Sequence, residues 1–289
     1  MIESFLSSWP LFHNTYLAGW LIGLLLSLIG VLVVARDQIF IGAAVSQAST
    51  FGISLAMWLG AGAAANQLSW IRSDEFLSVM AVLFSVIAAL ITARGGETGG
   101  ESHEAIIGWV FLVSASLAVL VVSHSPHGLE EIHRLVASSI IGTTGSDAAT
   151  FGILAGVTAL SVCLLRRPLL LFAMDPAMAQ TVGINIPLWG AATSTWLGLA
   201  VGLSIRSSGM LYTFGCLVLP ALVAKNLCRE VGPMFLVSPI VAVTAGVAGF
   251  AIANHYDYPP GQMTVALLSL LLIAAWGVRR LRHGRETPA

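Results

Sequence analysis

The chain has 289 residues, 57% hydrophobic and only 9% charged, with a mean hydropathy of +0.89. Soluble domains carry about 25% charge, so this composition excludes an ordinary soluble fold and points to one all-α, polytopic membrane domain over residues 1–289. A net charge of −1 leaves no broad basic face for nucleic acid.

A bilayer core about 30 Å thick takes roughly 20 apolar residues per helix. Nine such spans are expected, at 16–35, 41–61, 77–93, 105–123, 148–165, 188–205, 209–224, 233–253 and 262–278. None contains Asp, Glu, Lys, Arg or His, which argues against a proton relay or a voltage sensor. Before the first span stand Glu3, Trp9, His13 and Asn14 with no basic run, so a signal peptide is not expected. Gly19, Gly23 and Gly30 in the first span, and Gly42, Gly52 and Gly60 in the second, would let helices approach closely.

The second span opens with "GAAVSQAST" (42–50), which carries Ser46, Gln47, Ser49 and Thr50. An amide facing hydrocarbon would go unpaired at a cost of several kcal/mol. The row therefore belongs at a helix interface or on a central pathway. The Gly-rich stretch "ARGGETGGESHEAIIG" (93–108) lacks the GxxxxGK[ST] pattern and follows no strand, so it reads as a loop. Glu101, His103 and Glu104 then fall at the start of the fourth span, where acidic groups favour a helix N-terminus.

Between spans four and five lies "SHSPHGLEEIHRLVASSIIGTTG" (123–145). From Leu129 to Ile140 its apolar residues keep helical spacing. His124, His127, Glu130 and His133 could ligate a divalent ion, although Pro126 and Gly128 interrupt them and the spacing matches no tight motif. A solvated loop and a metal-collecting patch both remain open.

The segment "RRPLLLFAMDPAMAQTVGINIP" (166–187) holds a short helix with its own start and stop. Asp175 suits the N-cap, Pro176 the first helical position, and Gly183 a left-handed end. It reads as an interfacial helix or as a docking helix. Pro220 sits within the seventh span and would free a carbonyl there. In the last loop, "NHYDYPPGQ" (254–262), His255 and Asp257 could contact a ligand, or could simply sit with the tyrosines at the membrane interface. Cys163, Cys216 and Cys228 lie far apart in or beside apolar runs and form no CxxC pair.

Basic residues set the orientation. With the C-terminus in the cytoplasm, ten of the thirteen Lys and Arg fall inside, and Arg72, Arg134 and Arg206 fall outside. The N-terminus is then extracytoplasmic.

Five segments in this order resemble a known family: "GVLVVARDQIFIGAAVSQASTFGISLA" (30–56), "EAIIGWVF" (104–111), "MDPAMAQTVGI" (174–184), "SSGMLYTFGCLVLPALVA" (207–224) and "YDYPPGQMTVALL" (256–268). The chain resembles the permease subunits of bacterial ABC importers for zinc, manganese and iron. The resemblance implies a homodimer embedded in the lipid of the bacterial inner membrane. Separate ATPase subunits holding ATP and magnesium would dock from the cytoplasm, and an extracytoplasmic solute-binding protein would deliver cargo. This chain would then be neither an enzyme nor a cofactor carrier. Asp175, Pro176, Ala179 and Gly183 fall where such permeases place the coupling helix. Members of the family often carry Asp and, four residues on, His in the second span as pathway ligands. Here Ala43 and Gln47 stand at those positions, beside Ser46 and Thr50. The expected cargo is a divalent metal ion or its chelate, and the missing acid and imidazole leave a non-metal solute as the alternative.

Overall fold

The computed structural model describes residues 2–61, 69–94, 102–123, 140 and 143–283. Among them every regular element is helical: α1 (Ile2–Ala35), α2 (Ile41–Ala61), a 3-10 turn (Ser69–Arg72), α3 (Asp74–Arg94), α4 (His103–Ser123), α5 (Gly145–Leu164), α6 (Arg166–Met174), α7 (Pro176–Thr181), α8 (Ile186–Ser208), α9 (Met210–Leu227), α10 (Val231–Tyr256) and α11 (Pro260–His283). Eight of the described helices are long and apolar enough to cross a membrane. Of the nine spans expected, the one outside this set is α2. Its 21 residues reach about 32 Å, so length is not the obstacle. The polar row at its start is what lowers its hydropathy.

Two elements depart from the sequence expectation. α1 begins at Ile2 rather than near residue 16, with Pro10 inside it. Its 34 residues span about 51 Å, more than a bilayer core. Trp9, Phe12, Tyr16 and Trp20 hold the early turns in a ring cluster that reaches Phe250 of α10, with centroids 5.9–6.4 Å apart. The second departure is α6, a nine-residue helix not anticipated in the 166–187 loop. Leu169, Phe172 and Ala173, at helical spacing, are its buried face.

The chain folds as two compact units. One comprises Met1–Asp37, Ser139–Met174 and Gly215–Ala289, and the other Gln38–Ser138 and Asp175–Phe214.

In the first unit α1 packs on α10 and α5, and α10 packs on α11. Ile22, Leu25, Leu26, Val31 and Val34 are fully buried along α1. Gly30 lets α1 meet the backbone of α9, because a Cβ there would overlap the Leu217 carbonyl. Ser238 Oγ donates to the Ser27 carbonyl oxygen at 3.0 Å and ties α10 to α1. Basic residues gather at one end of this unit. Lys225 Nζ lies 2.6 Å from Asp37 Oδ1, Arg36 stands 4.6 Å over the Phe172 ring, and Arg279 bonds Asn226.

In the second unit α2 packs on α3, α4 and α8, and α3 on α8. Small residues make these contacts close. A Cβ at Gly52 would sit 2.5 Å from the Met80 carbonyl oxygen, and one at Gly198 would sit 2.6 Å from Val86 Cα. Ser85 Oγ donates across the same seam to the Gly198 carbonyl at 2.6 Å. Arg206 bonds Ser78 and pairs with Asp74 at 3.4 Å. Such an exposed pair contributes about 0–1 kcal/mol.

Backbone-to-backbone approach cannot be relieved by a rotamer change. Gly30→Leu is therefore expected to destabilise the protein by about 3 kcal/mol or more, read as a lower melting temperature of the detergent-solubilised protein in size-exclusion chromatography. Gly156→Ala on α5, where no atom lies within 4 Å of the added Cβ, should leave melting unchanged or slightly raised.

Candidate functional site

The polar row on α2 resolves into two kinds of side chain. Ser46, Ser49 and Thr50 are buried, whereas Ala43 and Gln47 are half-buried on one face, four residues apart. Thr50 Oγ1 donates to the Ser46 carbonyl at 3.1 Å, and Ser54 Oγ donates to the Thr50 carbonyl at 2.8 Å. Those two hydroxyls are satisfied within their own helix. The hydroxyls of Ser46 and Ser49 are buried and have no hydrogen-bond partner among the described residues.

Gln47 reaches outside its helix. Its Nε2 donates to the Met210 thioether at 3.2 Å. A thioether is a weak acceptor, so the amide is held lightly. Met210 is placed by a break in the chain: Gly209, at φ +79°, ends α8, and α9 starts at the next residue. That left-handed φ favours glycine. The Gly209 N–H still donates to the Ile205 carbonyl at 2.8 Å.

The break is flanked by further polar groups that the sequence reading did not single out. Ser208 Oγ donates to the Ser204 carbonyl at 2.8 Å and lies 3.2 Å from Thr213 Oγ1. Ser204 Oγ is buried with no hydrogen-bond partner among the described residues. The signal was available in "SIRSSGMLYT" (204–213), where Ser204 and Ser208 share a helix face and Gly209 interrupts it. Among the described residues the second unit thus presents three buried hydroxyls without hydrogen-bond partners, on two helices that pack together, and a half-buried amide paired with a thioether. Within the nine sequence-defined spans no charged side chain accompanies them.

The short helix α7 has the expected caps. Asp175 Oδ1 accepts from the Met178 N–H at 2.9 Å, and Pro176 occupies the first turn. Gly183, at φ +88°, ends the segment, and the Ile184 N–H donates to the Ala179 carbonyl at 3.0 Å. Ala179 is fully buried, while Met178 and Val182 are 55% and 65% exposed. α7 therefore anchors through one small residue and turns apolar side chains outward. Asn185 then caps α8, its Oδ1 accepting from the Leu188 N–H at 3.1 Å.

At the end of α10, His255 and Asp257 are exposed. Asp257 takes the left-handed C-cap at φ +58°. His255 stacks edge-on against Tyr256 at 4.8 Å, and Tyr256 lies 6.1 Å from Tyr258. Among the described residues no three His, Cys, Asp or Glu converge as metal ligands. His124, His127, Glu130 and His133 lie outside the described residues. Cys163, Cys216 and Cys228 are free thiols, and burial pushes the Cys228 thiol up from its ordinary range.

The ABC 3 transport family model matches residues 8–279. The chain belongs to the ABC 3 transport family. It is 22% identical over 268 residues to the chelated iron transport system membrane protein YfeD of Yersinia pestis, covering 93% of this chain and 85% of that one. It is 23% identical over 273 residues to the manganese transport system membrane protein MntC of Halalkalibacterium halodurans, covering 94% and 88%. The solved structure of PsaBC from Streptococcus pneumoniae in complex with Fab superposes with a TM-score of 0.77, at 19% identity over 96% of this chain and 95% of that one. This ABC 3 chain therefore shares the fold of that structure almost end to end.

The two classes of serine separate in a stability measurement. Ser85→Ala removes a helix-to-helix bond and should cost about 0.6 kcal/mol. Ser46→Ala and Ser204→Ala remove buried hydroxyls that lack partners, which cost about 1–3 kcal/mol each, and should melt at or above the parent.

Proposed function

We propose that this chain is the membrane-spanning subunit of an ABC importer of the bacterial inner membrane, carrying a divalent metal ion (manganese, iron or zinc) or its chelate. The observation that carries the reading is the family match over 8–279, joined to buried hydroxyls of Ser46, Ser49 and Ser204 that make no hydrogen bond among the described residues. The two relatives named above for iron chelate and manganese support a metal cargo. Nothing in those names favours the non-metal alternative.

On this reading Ala43, Ser46, Gln47 and Thr50 line the pathway, joined by Ser204, Ser208, Met210 and Thr213. The site offers hydroxyl, amide and thioether groups but no carboxylate or imidazole. A bare dication in a low-dielectric site requires anionic or strongly basic ligands. Neutral donors suit a cargo whose charge is already covered by its own ligands, so the chelate is the form this chain favours. His255 and Asp257, exposed at the end of α10, are available to a delivering solute-binding protein.

α7 supplies the contact for a separate ATPase. Asp175 and Pro176 fix its start, Ala179 seats it, Gly183 turns the chain away, and Met178 and Val182 face outward. ATP and magnesium belong to that partner, so hydrolysis is not this chain's own activity. The basic end of the first unit, with Arg36, Lys225 and Arg279, supports a cytoplasmic C-terminus and an extracytoplasmic N-terminus. Two copies would enclose the path.

The test is ATP-dependent uptake in proteoliposomes holding the permease, its ATPase and its binding protein, with radioactive manganese, iron and zinc offered bare and chelated. Uptake of a chelated metal is expected. Failure to take up any of the three in either form would defeat the proposal. Ser46→Ala combined with Ser204→Ala should reduce uptake about tenfold without lowering the melting temperature. Gln47→His should shift preference toward the bare ion.

Coupling is tested separately. Met178→Glu with Val182→Glu should abolish co-purification of the ATPase and leave binding-protein association intact. Retained co-purification would remove α7 from the docking surface.

A further inference from the structure

The first unit carries a groove that the transport reading does not use. Ile273, Trp276, Gly277, Arg279 and Arg280 of α11 and Asn226 of α9 line a space of about 650 Å³. Its wall is packed: Val223, Leu272 and Ala275 form a buried cluster with Leu219, Leu222 and Val241 around it. Gly277 contributes no side chain, and a Cβ there would meet nothing within 4 Å.

The groove is graded along α11. At one end Ile273 is 60% exposed and Trp276 51%. At the other stand two guanidinium groups. Arg279 Nη1 donates to Asn226 Oδ1 at 3.2 Å, and Asn226 Nδ2 donates to the Leu222 carbonyl at 2.8 Å. That chain of bonds fixes the Arg279 side chain at the mouth of the groove. Arg280 makes no ion pair or hydrogen bond with the described residues. From Ile273 to Arg280 is about 10 Å of helix, which matches the distance from a lipid phosphate to the first part of its acyl chains. Tryptophan followed by arginine at the end of a span is also the arrangement that sits at headgroup level.

We infer that this groove binds an anionic phospholipid of the surrounding bilayer. The headgroup phosphate lies against Arg279 and Arg280, whose planar forks match phosphate oxygens. An acyl chain lies over Trp276 and Ile273. The fixed Arg279 is preorganised, so little side-chain entropy is lost on binding. The apolar half distinguishes a lipid from a free phosphate or a nucleotide, neither of which would cover it. Positive charge at the headgroup end distinguishes an anionic lipid from a zwitterionic one.

The experiment is native mass spectrometry of the intact detergent-solubilised chain, titrated with phosphatidylglycerol, with phosphatidylcholine of the same acyl chains, and with inorganic phosphate. Phosphatidylglycerol should be retained about tenfold over phosphatidylcholine. Arg280→Gln, an exposed change that keeps the Arg279–Asn226 bond, should cut that preference about fivefold. Trp276→Ala should weaken both lipids alike. Size-exclusion elution of each variant checks that it is folded. Equal retention of the two lipids, an unchanged preference in Arg280→Gln, or displacement of lipid by phosphate alone at equal concentration would each overturn the inference.

Discussion

Inside a bilayer no water is at hand, so every polar group must be satisfied by the protein itself. The rest of this structure depends on that constraint. Most hydroxyls in the spans meet it by bonding a carbonyl one turn back in their own helix: Thr50 to Ser46, Ser54 to Thr50, Thr92 to Ala88, Thr158 to Leu154, Thr264 to Pro260 and Ser269 to Val265. Such bonds are local and hold no helix against another. A few hydroxyls reach a neighbouring helix, as Ser85 does to Gly198 and Ser238 to Ser27. Against this background the partnerless hydroxyls of Ser46, Ser49 and Ser204 stand apart. Among the described residues their bonding capacity goes unused.

Within the sequence-defined spans no charge is present to join helices, and there close approach does much of the joining. Glycines at 30, 52 and 198 bring one backbone against another, and each contact excludes even a methyl group. Lipid tails are as apolar as leucine, so packing between helices gains from this intimacy rather than from burial as such. The consequence is asymmetric tolerance. Exposed positions such as Ile153 and Leu270, at 68% and 62%, can exchange one apolar residue for another. The glycine seams cannot.

Much of this was legible in the sequence. The helix α2 has the expected bounds, 41–61, although its hydropathy sets it outside the eight helices apolar enough to cross a membrane. The caps of α7 were legible because Asp, Pro and Gly each carry a specific backbone meaning at Asp175, Pro176 and Gly183. α6 was not: Pro168 near its start and an apolar run of seven residues, 168–174, read equally well as a loop at the interface. The early turns of α1 were hidden for a related reason. Trp9, His13 and Asn14 look like the end of a span, yet their helix is held by the Phe250 ring of α10 against Tyr16 and Trp20, about 230 residues away in the chain. The candidate site was half legible. Periodicity put Ala43 and Gln47 on one face, but nothing local could pair Gln47 with Met210, which lies 163 residues further on, just after the left-handed Gly209.

That pairing also bears on how such a pathway would select its cargo. Gln47 gives an N–H to a weak sulfur acceptor, so on the proposed reading its carbonyl oxygen is the group left to face a solute. A carbonyl and a few hydroxyls hold an ion far more loosely than a carboxylate and an imidazole would. Loose binding suits passage, since a cargo held tightly midway across would not leave. It also means that the pathway on its own discriminates poorly between ions. On the proposed reading, selection is made before entry, by the protein that delivers the cargo and by the ligands the cargo carries with it. The membrane subunit then supplies a neutral, hydrogen-bonding passage whose opening is governed from α7.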